Sequence, residues 1–231
     1  MMEEMYATTT ASKSACPSPD DYMRSFEGAD NIVVVTITGT LSGSYNSAEV
    51  AKKIYLEEHP NTNIHVINSL SAGGEVDLIV RKLNQLVAED LDFEQVVQVI
   101  TKYQEKTKLL FVLAKVDNLV KNGRLSKLIG AVVGLLNIRM VGEASKTGTL
   151  ELLQKARGQK KAIKAAVEEL LKAGYAGGHI TIAHRNNEKF IEQFSALVRE
   201  KFAHAMIEVL PTSGLCSFYA EEGGLLMGYE I

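Results

Sequence analysis

The sequence predicts an α/β protein of two domains. The first, residues 1–107, is a parallel-sheet α/β unit, and the second, residues 108–231, is an α+β unit with a mostly antiparallel sheet. Three observations predict this. Strand and helix signals alternate through the first half, the rhythm of parallel strands joined by crossover helices. That rhythm breaks near Lys108. Beyond it, Ser145-Lys146-Thr147-Gly148 separates two strand patterns and reads as a hairpin loop.

Taken in order, Ser18-Pro19-Asp20-Asp21 starts a helix with a serine cap, a proline at the first helical position and acids in the first turn. That helix ends near Gly28. Ile32–Thr38 is the β-branched run of a buried parallel strand. A helix over Ser47–Glu58 stops before Pro60, and Asn63–Asn68 is the next strand. Glu75–Ala88 sets Val76, Ile79, Leu83 and Leu86 on one helical face. Asp92 and Gln95 form a capping-box pattern for a helix over Phe93–Glu105.

In the second half, Leu109–Leu113 is a strand, followed by short helices at Asp117–Lys121 and Ser126–Leu135. Strands Asn137–Glu143 and Thr149–Lys155 flank the hairpin loop. A helix over Gln159–Ala173 meets its stop at Gly174. His179–Ala183, Glu188–Phe202, Met206–Leu210 and Gly224–Glu230 then read as strand, helix, strand and strand. No low-complexity linker separates the halves, so they are expected to pack closely.

The formal charge of −3 leaves no electrostatic footprint for nucleic acid, and the lysines of Lys155–Lys164 alternate with apolar residues as on a solvated helix face. Two cysteines, Cys16 and Cys216, form no disulfide framework and favour a reducing, cytoplasmic setting. Met1–Ala11 lacks the apolar core of a secretory signal, and the longest apolar runs are too short to span a bilayer. No P-loop, GxGxxG, HExxH or GxSxG pattern is present, so no nucleotide, metal or other cofactor is expected and no catalytic residue is assigned.

The chemistry-bearing stretch is Thr38-Gly39-Thr40-Leu41-Ser42-Gly43-Ser44-Tyr45. Small hydroxyls and glycines between a strand end and a helix start make a cradle of neutral donors for one anionic group. The same stretch also reads as an ordinary turn with a serine cap. A second hydroxyl-rich segment is Lys13-Ser14-Ala15-Cys16-Pro17-Ser18-Pro19, and a third signal is Asn122-Gly123-Arg124-Leu125-Ser126. The closing run Phe218-Tyr219-Ala220-Glu221-Glu222-Gly223-Gly224-Leu225-Leu226-Met227-Gly228 completes the set.

In this order, the four segments resemble the DegV family of bacterial fatty-acid-binding proteins, in register from about Lys13 to Ile231. The resemblance implies a long-chain fatty acid held between two domains, its carboxylate bound by hydroxyls and presented to a separate fatty-acid kinase subunit. Carried over, the ligand-binding residues are Ser14, Ser42, Gly43, Arg124 and Tyr219, and the hydroxyl cradle adds Thr38. The chain departs from the family pattern at Ala15 and Cys16, at Asn122, and at Tyr219, where the family often has a histidine. Against these roles stand plain ones: Ser14 and Ser42 as backbone caps, Arg124 as a surface residue, Tyr219 as core.

The resemblance also implies a further strand and helix bearing an Asp-Ser motif ahead of Ser14, where this chain has Met1–Ser12. The first domain is therefore expected to be shortened. An absent strand leaves a sheet edge that a second copy would cover, which implies a homodimer. Two other functions remain open at this point. One is an enzyme acting on a small phosphorylated or carboxylated substrate at residues 38–44. The other is a degenerate family member that binds no ligand.

Overall fold

A computed structural model describes residues 12–125 and 137–231. The helix expected over Ser126–Leu135 lies outside the described residues. Two sheets organise the rest, one small and parallel, the other larger and mixed.

Helix α1 (Pro19–Phe26) opens on the expected capping box, in which Ser18 Oγ accepts the Asp21 N–H and the Asp21 carboxylate accepts the Ser18 N–H. Strand β1 (Asn31–Thr36) pairs in parallel with β2 (Asn63–Asn68), Val34 opposite Val66. Helix α2 (Ser44–Glu58) crosses between them. The expected strand through Thr38 ends two residues early. The Thr38 N–H leaves the ladder and donates to the Ser71 carbonyl at 2.8 Å. Helix α2 also starts earlier than Ser47, because Gly43 stands at its N-cap and the Ser47 hydroxyl donates instead to the Pro17 carbonyl at 2.7 Å.

Helices α3 (Gly74–Val87) and α4 (Phe93–Gln104) follow, the latter capped by the reciprocal Asp92–Gln95 bonds. Ile79, Leu83 and Leu86 of α3 pack with Ile67, Val96 and Ile100 beneath the small sheet. The other side of α3 lies on the larger sheet. A Cβ on Gly74 would collide with the backbone of Thr181 and Gly228, so only glycine permits this close approach.

The larger sheet takes β3 (Thr107–Leu113), β4 (Ile138–Ala144), β5 (Leu150–Arg157), β6 (His179–His184), β7 (Met206–Pro211) and β8 (Leu225–Glu230). Their spatial order is β5-β4-β3-β8-β6-β7, antiparallel throughout except for the parallel pair β6 and β7. Helices α5 (Asp117–Lys121), α6 (Gln159–Lys172), α7 (Glu188–Lys201) and α8 (Gly214–Ala220) fill the connections. Helix α8 has no counterpart among the sequence expectations.

Strand β3 is buried on both faces. Leu110 and Val112 join the main core with Ala166, Leu170 and Phe194 from α6 and α7. Phe111 and Leu113 point the other way, toward Leu119, Met140 and Ala220. That second face forms the wall of a cavity.

Candidate functional site

The cavity encloses about 410 Å³, within the range of about 300–1,000 Å³ usual for small-molecule sites. Its floor is apolar, built from Phe111 and Leu113 of β3, Leu119 of α5 and Leu226 of β8. Leu215, Cys216 and Ala220 of α8 close one side, and Ile37 and Leu41 border the other. Burying apolar chain here stabilises a complex by about 0.8 kcal/mol per methylene before ordering costs.

The polar residues gather around Ser14, Ser42, Ser44, Arg124 and Tyr219, which share the cavity wall with Gly43. Ser14 Oγ and the Tyr219 hydroxyl share a hydrogen bond of 3.2 Å. Ser42 Oγ lies 2.9 Å from Ser44 Oγ and accepts the Ser44 N–H at 3.2 Å. Thus the loop that ends at the start of α2 turns two hydroxyls toward each other. Gly43 lies against Cys16, whose Sγ would sit 3.0 Å from an added Cβ.

Arg124 follows α5 and is anchored by backbone on both sides. Its Nε–H donates to the Leu41 carbonyl at 2.9 Å, and Nη1 donates to the Asn122 carbonyl at 3.2 Å. The guanidinium lies over the Tyr219 ring, 5.0 Å from its centroid. A guanidinium held this way carries both a positive charge and oriented donors into a partly apolar site.

Thr38 does not stand on the cavity wall. It is buried, its hydroxyl 3.0 Å from Thr40 Oγ1. Its carbonyl accepts the N–H groups of Leu41 and Ser42, both at 3.2 Å. Thr40 in turn donates to the Gly148 carbonyl at 2.6 Å, joining this loop to the β4–β5 hairpin. Thr38 therefore shapes the loop that carries Ser42.

Glu221, just past α8, has no exposed surface and a left-handed backbone, φ 54° and ψ −172°. For a residue with a side chain this conformation costs about 1–3 kcal/mol and persists only where its surroundings enforce it. Its Oε1 accepts the Asn118 N–H at 2.9 Å in the first turn of α5. The Asn118 side chain returns a bond to the Phe218 carbonyl at 2.9 Å. Burial pushes the Glu221 carboxyl above the ordinary glutamate value, opposed by the N–H groups of Asn118 and Asp117 and the charge of Lys115. Burial likewise pushes the Cys216 thiol up, which makes it a poor nucleophile.

Sequence reasoning missed Ser44, Leu215 and Cys216 as wall residues. Ser44 belongs to the same hydroxyl run as Ser42, a usable signal. Leu215 and Cys216 sit on a seven-residue helix, too short to show a period. Among the described residues, no group of three His, Cys, Asp or Glu side chains could hold a metal ion. No described helix is long and apolar enough to cross a membrane.

Comparison with known proteins decides the lineage. A family model described as an uncharacterised protein of the DegV family matches residues 1–229. The chain belongs to the DegV family. A DegV domain-containing protein of Streptococcus gordonii is 78% identical over 231 residues, covering all of this chain and 82% of the relative. Among solved structures, the Fatty Acid Kinase (Fak) B3 protein of Streptococcus pneumoniae, loaded with linoleic acid, is 76% identical with a TM-score of 0.98. It too covers this whole chain, which spans 82% of it. A DegV family protein of Eubacterium eligens loaded with heptadecanoic acid is 37% identical, with a TM-score of 0.95, over this whole chain and 83% of its own.

Proposed function

We propose that this protein binds a long-chain fatty acid in the 410 Å³ cavity. The acyl chain lies on the apolar floor of Phe111, Leu113, Leu119 and Leu226, and the carboxylate lies against Ser14, Ser42, Tyr219 and Arg124. One observation carries the reading: an apolar cavity whose wall brings hydroxyls and an arginine together, in a chain 76% identical to a protein solved with linoleic acid. About 14 buried methylenes contribute on the order of 11 kcal/mol before ordering costs, so the tail dominates affinity. The head-group residues fix which end enters.

In this reading the halves 1–107 and 108–231 are two domains that close on the acyl chain. Ser42 and Gly43 come from one, Arg124 and Tyr219 from the other. The protein supplies no catalytic group. It holds the carboxylate for phosphorylation by a separate kinase subunit, a role supported by its likeness to the Streptococcus pneumoniae Fak B3 protein. We further assign it to the cytoplasm, which suits its two free thiols, and to a homodimer, with the second copy along the small sheet. The apolar walls argue against a small hydrophilic substrate, and a cavity of this size argues against a collapsed, non-binding relative.

The test is mass spectrometry of the purified protein, native and after organic extraction. A stoichiometric adduct that extracts as a long-chain fatty acid is expected. A bare mass, unchanged after incubation with such acids, would overturn the reading. Unaltered affinity in Ser42→Ala/Arg124→Ala would overturn the head-group assignment alone.

A further inference from the structure

We propose that Glu221 is the positioning residue of the head-group site, locking α5 and α8 together so that Arg124 and Tyr219 meet. This rests on the fatty-acid reading above, and it adds a residue that touches no ligand.

The two elements that carry Arg124 and Tyr219 are short. Helix α5 has five residues, no side-chain cap of its own, and Val116 at its N-cap. Helix α8 has seven residues, and the Ser213 side chain at its N-cap makes no capping bond. Helices this short do not hold themselves. Ser217 ties α8 to Thr212, and Leu119 and Ala220 pack in one apolar cluster, but the polar bonds that join the two helices are mutual. The Glu221 carboxylate takes the Asn118 N–H at the open end of α5, and Asn118 Nδ2 donates to the Phe218 carbonyl in the last turn of α8.

Each bond leads directly to a head-group residue. The far end of α5 turns back on itself, where Asn122 N–H and Nδ2 both donate to the Asn118 carbonyl and the Arg124 N–H donates to the Leu119 carbonyl. Arg124 thus inherits the orientation that Glu221 gives α5. Phe218, whose carbonyl Asn118 holds, immediately precedes Tyr219.

The left-handed backbone at Glu221 is the second, independent observation. Glycine would meet that conformation without strain. A glutamate there, fully buried and bound across two helices, indicates that the carboxylate is what the position requires.

The same backbone supplies a clean variant. Glu221→Gly removes the carboxylate while relieving the backbone strain. Glu221→Gln keeps an oxygen acceptor for the Asn118 N–H. Two readouts on the full chain separate the possibilities. The first is the affinity for linoleic acid against that for linoleyl alcohol, which has the same tail and no carboxylate. Glu221→Gly is expected to weaken the acid about tenfold and leave the alcohol unchanged, with Glu221→Gln recovering most of the loss. The second is ligand-free amide exchange, expected to quicken at Asn118, Leu119 and Gly214–Ala220 in Glu221→Gly.

An unchanged acid-to-alcohol ratio, or equal losses on both, overturns the positioning role. Unchanged exchange overturns the coupling. If exchange quickens while even the wild-type protein binds neither lipid, the coupling of α5 to α8 stands and the fatty-acid reading falls.

Discussion

Arg124 places its guanidinium 5.0 Å from the centroid of the Tyr219 ring while two backbone carbonyls, of Leu41 and Asn122, fix the plane of its fork. The ring face and the carbonyls together hold a cation beside apolar walls, and among the described residues the Nη2 end makes no hydrogen bond. That geometry suits a carboxylate approaching from the cavity.

Lysine cannot reproduce it. A single ammonium cannot reach both carbonyls and also lie flat on the ring. Arg124→Lys is therefore expected to lower fatty-acid affinity about tenfold, and Arg124→Ala by more, with charged hydrogen bonds contributing about 1.5–3 kcal/mol. Titration calorimetry with a C18 acid checks this. Equal affinities for Arg124 and Lys would show that charge alone matters.

Tyr219 separates ring from hydroxyl. Tyr219→Phe keeps the surface under Arg124 and removes the partner of Ser14 Oγ. One neutral hydrogen bond is worth about 0.5–1.5 kcal/mol, so affinity should fall between about twofold and tenfold. Thermal stability should barely change, since the bond lies at an exposed position. Tyr219→Ala should cost clearly more affinity than Tyr219→Phe. Identical binding by Tyr219→Phe and wild type would remove the hydroxyl from the head-group site.

Phe111 lines the cavity. It stands opposite Gly142 across β3 and β4, and a Cβ on Gly142 would collide with its ring. The ring therefore occupies space beside Gly142 that a side chain there would claim. Phe111→Leu is expected to enlarge the cavity floor and raise relative affinity for longer or bent acyl chains, measured by competition between C16 and C18 acids. Truncation to alanine costs about 3–5 kcal/mol of stability, so leucine is the informative variant. An unchanged preference would place the chain terminus elsewhere.

Local chemistry made most of the fold legible, and long-range contact hid the rest. Strand β2 and helix α5 occupy the expected residues, Asn63–Asn68 and Asp117–Lys121. The boxes at Ser18–Asp21 and Asp92–Gln95 form as their spacing implies, because a cap is decided within four residues. The Thr38 N–H that leaves the β1 ladder goes to Ser71, and the Ser47 hydroxyl expected to cap α2 goes to Pro17, both outside the local window. The hydroxyl runs advertise Ser14 and Ser42, and Arg124 and Tyr219 are reached only through the family resemblance. Ser14 and Tyr219 meet across 205 residues of chain, and no spacing rule encodes that. The cavity wall is written in the same leucines and phenylalanines as the core.

Gly148 ties the hairpin to the loop of Ser42. It has φ 80°, its carbonyl accepts the Thr40 hydroxyl, and an added Cβ would collide with Thr38 Oγ1. Gly148→Ala should therefore destabilise the protein by about 1–3 kcal/mol and also weaken fatty-acid binding, because the loop must shift. Denaturant unfolding and lipid titration on the same variant check both. Lost stability with intact binding would show that the hairpin supports the fold and not the head-group loop.

The buried carboxyl of Glu75 carries a pH signature of definite sign. Burial pushes it above the ordinary glutamate value, opposed by the hydrogen bond from Thr107 and by the charge of Lys108. Thr107 Oγ1 donates to Glu75 Oε1 at 2.8 Å, a bond that a glutamine oxygen could still accept. The folded state thus holds this proton to higher pH than the unfolded chain does. Between the unfolded and folded values the native state binds more protons, so stability falls as pH rises through that window. Above it, folding must bury an ionised carboxylate. Glu75→Gln removes the penalty, and its stability relative to wild type should be greatest above that window and shrink as pH falls toward the ordinary glutamate range. Urea unfolding of both proteins across that range reads the difference directly. A constant difference at every pH would mean that Glu75 keeps an ordinary pKa despite its burial.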